Sequence, residues 1–151
     1  MIGPEHLAPL VEDVLRHTLD GEPARAAAVL DRIGEHGDGA DMYGVCCAAA
    51  EVGRAALLTL FPDAGTADGD MWSLEGAADQ LDDPHRLFAA RFLTAYANGD
   101  APTGLALFLA AHQAGPQSRT ESVCALLAHV HGLCRRAEAG PTIPHHGGTR
   151  P

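Results

Sequence analysis

The sequence predicts an all-α protein: a helical array built from two copies of a three-helix unit. Three observations predict it. Apolar residues make up 46% of the chain but rest on alanine and leucine, with aromatics at only 5%. That mixture suits helices in close approach better than a β-sandwich, which draws on β-branched and aromatic side chains. Apolar positions recur at the three- and four-residue spacing of amphipathic helices, and glycine and proline punctuate them. Finally, sliding the chain on itself by the 78 positions that separate Leu15 from Leu93 also pairs Gly21 with Gly99, Gly37 with Gly115, Val45 with Val123 and Cys46 with Cys124, without a gap. The paired glycines weigh most, because repeats share architecture before they share residues. Copy one spans residues 5–61 and copy two 83–139, joined by an acidic linker over 62–82 in one domain that ends at residue 139. A chain of 151 residues is enough for a single core that buries about 68–70% of the unfolded surface.

The first helix starts near Glu5, with Leu7, Leu10, Val11, Val14 and Leu15 on one side and Glu12, Asp13 and Arg16 on the other. Asp20-Gly21 stops it, and Pro23 opens the second, because a proline's missing N–H would be unpaired in a first turn anyway. Ala26, Val29, Leu30 and Ile33 form the second helix's inner stripe, which ends at Gly37. A third helix over 41–61 carries Val45, Ala49, Val52 and Ala56, beside a strip of small residues, Cys46, Ala50 and Gly53, on which another helix can pack closely. In the linker, Asp70 is placed to cap a short helix whose Trp72, Leu74, Ala78 and Leu81 pack onto the body. The linker carboxylates do not make a calcium loop, since Asp68-Gly69-Asp70-Met71-Trp72 puts an apolar residue where a third oxygen ligand belongs.

Copy two opens on Asp82-Asp83-Pro84, acid at the positive end of a helix dipole followed by a first-turn proline. Leu87, Phe88, Phe92, Leu93 and Tyr96 make that helix's apolar side. Asn98-Gly99-Asp100 turns into a helix over 101–114, ended by Gly115-Pro116. Ser118 or Thr120 is expected to cap the last helix, whose stripe is Val123, Leu126, Leu127, Val130, Leu133 and Cys134. Residues 140–151, GPTIPHHGGTRP, hold too little apolar surface to fold and are expected to form a mobile tail.

Helix starts near Glu5, Pro23, Asp41, Pro84, Ala101 and Thr120 place hairpins at the spacing of tetratricopeptide repeats, and 86–116 resembles one degenerate unit of that family. Phe88 matches the large aromatic of the family's first helix, Gly99-Asp100 its turn, Phe108 and Ala111 its second helix, and Pro116 its closing proline. Copy one matches through Leu10, Gly21, Glu22, Ala26 and Leu30, with Asp38 in place of the proline. Phe92 and Val14 depart from the family's small mid-helix residue, and Gly104 from its alanine. The resemblance implies a concave groove that binds peptides, with Arg86, Leu93 and Tyr96 turned towards the ligand; a tyrosine at the edge of the core is the plainer reading of Tyr96.

A formal charge of −10 argues against nucleic acid and anionic membrane surfaces and favours a basic protein partner. No cationic start with an apolar run marks a secretory signal, and the longest purely apolar run, Leu105 to Ala111, is far too short to span a membrane. Cys46, Cys47, Cys124 and Cys134 fit no secreted disulfide framework and read as reduced thiols of a cytoplasmic protein. His129, His131 and Cys134 lie together, and Cys124 and His131 share a helix side, but no metal-ligand spacing such as C-x-x-C is present. Cys46 and Cys124 are expected at equivalent, largely buried helix-face positions and to bind nothing. No G-x-S-x-G, phosphate loop or dinucleotide fingerprint occurs.

The reading is a non-enzymatic protein-interaction or assembly module without a cofactor. Its rivals are a regulatory domain holding an apolar small molecule between the copies, and a metal-dependent enzyme. The alanine and arginine content also fits a GC-rich bacterial source. One further expectation concerns self-association. Where the second helix has Ala27, Asp31 and Gly34, its counterpart has Leu105, Leu109 and His112, so 105–111 is apolar nearly all round. Leu105 and Leu109 are therefore expected to be covered, by the Trp72 linker or by a second copy in a two-fold dimer.

Overall fold

The computed structural model describes residues 2–62 and 82–140, and among these are six helices: α1 (Pro4–Leu19), α2 (Pro23–His36), α3 (Gly39–Leu60), α4 (Pro84–Ala97), α5 (Ala101–Gln113) and α6 (Pro116–Glu138). No strand occurs among the described residues, and the protein is all-α. The expected linker helix with Trp72, and the tail from residue 141, lie outside the described residues.

Local chemistry sets where the helices begin. Every helix but α3 has a proline at one of its first two positions, where a fixed φ and a missing donor cost nothing. In α3 a capping box does the work. Asp38 accepts from the Asp41 N–H at 3.0 Å, and the Asp41 carboxylate accepts from the Asp38 N–H at 2.9 Å and from the Ile2 N–H at 3.0 Å. The third helix thus starts two residues before Asp41, which acts as a reciprocal cap inside the first turn. Gly37 is required by this closeness, since a Cβ there would lie 2.7 Å from both the Asp41 carboxylate and the Ile33 carbonyl. The sixth helix also starts earlier than expected. Neither Ser118 nor Thr120 caps it; Gly115, at φ 113°, reverses the chain and Pro116 opens the helix. Pro116 was expected to close the preceding helix, yet its φ serves a first turn equally well.

The α1–α2 and α4–α5 turns share one hydrogen-bond pattern. Gly21 and Gly99 sit at φ 74° and 72°, where glycine carries no Cβ penalty. The Glu22 N–H reaches the His17 carbonyl at 2.8 Å and the Asp100 N–H the Ala95 carbonyl at 2.8 Å; Gly21 reaches Thr18 at 3.1 Å and Gly99 reaches Tyr96 at 3.0 Å. Both are Schellman turns that satisfy the last carbonyls of the preceding helix.

α3 and α6, the two longest helices, pack along each other and each touches all four of the rest. In an open stack of hairpins each unit meets only its neighbours; here α6 also reaches back to α1 and α2, and α3 forward to α4 and α5. Val45, Cys46, Ala49 and Ala50 of α3 meet Val123, Leu126, Leu127 and Val130 of α6 in the core. Gly53 lets the helices close in, because a Cβ there would lie 3.0 Å from Leu93 Cδ1 and 3.1 Å from Val130 Cγ2. By length and composition α3 could cross a membrane, with a mean hydropathy of 1.3. A core helix has the same composition; α3 packs against all five other helices, and 39% of its most apolar 18-residue window is buried. Cys46 is fully buried, but Cys124 is only partly so. Both thiols lie on the inward sides of their helices, Cys124 less completely buried because it borders an open cleft.

Candidate functional site

A groove of about 540 Å³ runs between α3 and the α4–α5 turn. Its α3 wall is Tyr43, Cys47, Glu51 and Arg54, spaced at successive helical turns so that all four share a face. The other wall is Phe92 and Tyr96 of α4, Asp100 of the turn, and Ala101 and Gly104 of α5. Aromatic packing forms the floor: Tyr43 meets Phe92 edge-on at 6.2 Å and Phe108 at 5.3 Å, and Phe92 stacks on Phe88 at 5.6 Å.

A polar bridge spans the two walls. The Tyr96 hydroxyl donates to Glu51 Oε2 at 2.9 Å, and Arg54 donates to both Glu51 oxygens at 3.1 and 2.6 Å. The Arg54 contacts, then the Tyr96 hydroxyl, hold the Glu51 carboxyl below its ordinary range. Burial, then the Glu51 contact, pushes the Tyr96 phenol up. Burial likewise raises the Cys47 thiol against the opposing pull of the Tyr43 hydroxyl, and raises Tyr43 itself. The groove therefore offers neutral hydroxyls and a protonated thiol beside one bidentate ion pair and the Asp100 carboxylate. The raised thiol does not favour a thiolate nucleophile. Such a site can bind.

Of the three residues expected to face a ligand, only Tyr96 lines the groove. Leu93 is 3% exposed and packs against Gly53, because its side of α4 faces α3 and α6. Arg86 is exposed but sits ten residues before Tyr96, about 15 Å along the helix, beside His129. Burial, then the Arg86 and Arg136 charges, lowers the affinity of His129 for a proton. Sequence reasoning missed Tyr43, Cys47, Glu51 and Arg54. Their i, i+4, i+8, i+11 spacing opposite the buried stripe was the available signal.

Leu105 and Leu109 are each 43% exposed, so among the described residues nothing encloses them as expected. Only the inner side of α5, with Gly104 and Phe108, is buried. The exposed stripe starts beside the groove, since Ala101, Leu105 and Leu109 lie at four-residue intervals on one helix side and Ala101 is part of the groove wall.

One cluster has the connectivity of a hydrolytic triad. His85 Nδ1 lies 3.0 Å from Ser122 Oγ, and His85 Nε2 lies 2.8 Å from Glu121 Oε2. The exposures run opposite to a working triad: Ser122 is 3% exposed while the Glu121 side chain is 49% exposed. With the serine buried and its hydroxyl held by His85, the cluster ties the start of α4 to α6. Among the described residues no three His, Cys, Asp or Glu side chains gather as metal ligands; His129, His131 and Cys134 do not converge, nor do Cys124 and His131 with a third donor. No known protein family, curated protein or solved structure matches the chain.

Proposed function

We propose that this protein is a non-enzymatic protein-interaction module, acting in the cytoplasm, that binds a basic amphipathic segment of a partner protein. The segment lies along the outer face of α5 and anchors a side chain in the groove between α3 and the α4–α5 turn. The observation that carries the reading is the uncharged stripe of Pro102, Leu105, Ala106, Leu109 and Ala110, exposed along α5 and continuous with an aromatic-floored groove. Helix-in-groove recognition uses such a surface. A net charge of −10 and the Asp100 carboxylate at the groove favour a basic segment and repel a second copy of the chain. Size points the same way. A 13-residue helix is about 20 Å long and, with side chains, about 10 Å wide, far short of the ~800 Å² per partner of a stable two-protein interface.

The architecture in this reading is two copies of one three-helix unit whose hairpins resemble the tetratricopeptide kind in their turns but close on one another, with α6 against α1 and α2, and do not stack as an open array. Its support is the register of the helix starts at the 78-position offset, exact for Pro23 against Ala101, with Pro116 one position before the counterpart of Gly39 and Pro84 two positions after that of Pro4, and the matched Schellman turns. Peptide display on the immobilised full-length protein tests the function. The expected selection is Lys- or Arg-bearing sequences with apolar anchors at helical spacing, whose binding weakens with salt and falls at least about tenfold in Leu105→Asp/Leu109→Asp. Acidic or patternless selections, or binding indifferent to the double variant, would overturn it. So would a wild type that is dimeric by light scattering and becomes monomeric in that variant, since the face would then belong to a second copy.

A further inference from the structure

A second cleft, of about 360 Å³, lies between the α1–α2 turn and α6, and its walls include Thr18, Pro23, Ala26, Cys124, Leu127 and His131. It is the counterpart of the groove in the other half of the molecule. Thr18, Gly21, Pro23 and Ala26 stand 78 positions before Tyr96, Gly99, Ala101 and Gly104, all of which line the groove. In each case the turn of one hairpin faces the long helix of the other half. The chemistry differs. The groove holds a carboxylate–guanidinium pair and two tyrosines; no carboxylate, ammonium or guanidinium lines the cleft. Thr18 has spent its hydroxyl on the Val14 carbonyl at 2.7 Å, and burial keeps the Cys124 thiol protonated. His131 Nε2 is closed off from solvent and has no hydrogen-bond partner among the described residues, on a ring whose Cε1 edge faces Gly21. An unpaired polar atom in an apolar wall is unfavourable until something bonds to it.

We infer that this cleft is a binding site for a small, uncharged, largely apolar molecule bearing one hydroxyl, which bonds to His131 Nε2 when the ring turns towards the cleft. A charged ligand would lose its hydration without gaining a counter-charge. Roughly 150 Å³ suffices for benzene, so 360 Å³ admits a fused bicyclic ring or a branched chain. A hydroxyl both donates and accepts, and so pairs with Nε2 in either imidazole tautomer. The site is separate from the α5 docking face, and neither reading depends on the other.

The test uses 2-naphthol on the full-length protein, with 2-methylnaphthalene as the analogue lacking the hydroxyl. Cys124 in the cleft and Cys47 in the groove report occupancy through their rates of alkylation by iodoacetamide, followed by peptide mass spectrometry. The expected result is saturable binding of 2-naphthol, with alkylation of Cys124 slowed about tenfold at ten times the Kd and that of Cys47 unchanged. 2-Methylnaphthalene should bind several-fold more weakly, and His131→Phe should bring the two compounds to equal affinity. Ala27→Leu and Ala128→Phe, each checked for helicity, should abolish binding by filling the cleft. No saturable binding, protection of Cys47 in place of Cys124, or full affinity in both folded cleft-filling variants would overturn the site. Equal affinity of the two compounds for the wild type would remove the role given to His131.

Discussion

The α1–α2 and α4–α5 hairpins turn through the same Schellman geometry, and both aim small or apolar residues inward, yet they present opposite outer faces. On α2 that face is Arg25, Asp31, Arg32 and Glu35; on α5 it is Pro102, Leu105, Ala106 and Leu109. The inner positions correspond: Ala26 and Leu30 on α2, Gly104 and Phe108 on α5. A helix hairpin is held by its turn and its inner stripe, so the outer stripe is free to serve something else. Charged side chains on α2 keep that side in water. The apolar stripe on α5 has no partner among the described residues that would account for it, and that asymmetry is the basis of the docking proposal.

The largest expected difference between the halves lies inside. Phe92 and Val14 occupy the same position at the 78-residue offset and both are buried, but only Phe92 belongs to the aromatic group with Tyr43 and Phe88. Phe92→Ala should cost about 3–5 kcal/mol and Val14→Ala roughly half as much, by urea unfolding. Similar costs would mean that the aromatic group adds nothing special to the second half. The turns should behave alike. Gly21→Ala and Gly99→Ala should each cost about 1–2 kcal/mol, the penalty of a left-handed residue with a Cβ, and a large disparity would show that the two turns are not equivalent in solution.

A smaller contrast separates the two long helices. Gly53→Ala pushes a Cβ against Leu93 and Val130 and should destabilise by about 1 kcal/mol. Gly132→Ala meets open space and should stabilise by roughly 0.5–1 kcal/mol, because alanine is the better helix former. Thermal unfolding of the pair reads both signs. Asp41 supplies a pH-dependent contrast, since its counterpart position holds Arg119. The Ile2 and Asp38 N–H groups hold the Asp41 carboxyl below its ordinary value. A lowered folded pKa means that the stabilisation is complete above the unfolded value near pH 4 and is lost as pH falls through the lower folded value. Asp41→Asn should therefore flatten the acid limb of the stability profile, and an unchanged limb would remove Asp41 as its source.

Much of the fold was legible in the sequence because its signals are local. Proline in first turns, glycine after last turns and the acid at Asp83 act within a few residues, and all mark observed ends. Where two local signals competed, the boundary moved: Pro116 opens α6 where it was expected to close α5, and Asp41 assists a cap that Asp38 leads. The groove was not legible. It exists only because α3 closes on α4 and α5, and α3 is so apolar overall that the stripe from Tyr43 to Arg54 does not stand out. The tetratricopeptide resemblance groups Arg86, Leu93 and Tyr96; the sequence of α4 alone does not say which of its sides the neighbouring helices cover.

The docking reading is tested most directly by amide chemical-shift mapping of the full-length protein with a display-selected basic peptide. Perturbations should concentrate at Leu105, Ala106 and Leu109 and at Glu51 and Tyr96 of the groove, leaving Asp31, Arg32 and Glu35 of α2 unmoved. Shifts that follow the charged face of α2, or that spread evenly over both hairpins, would contradict it.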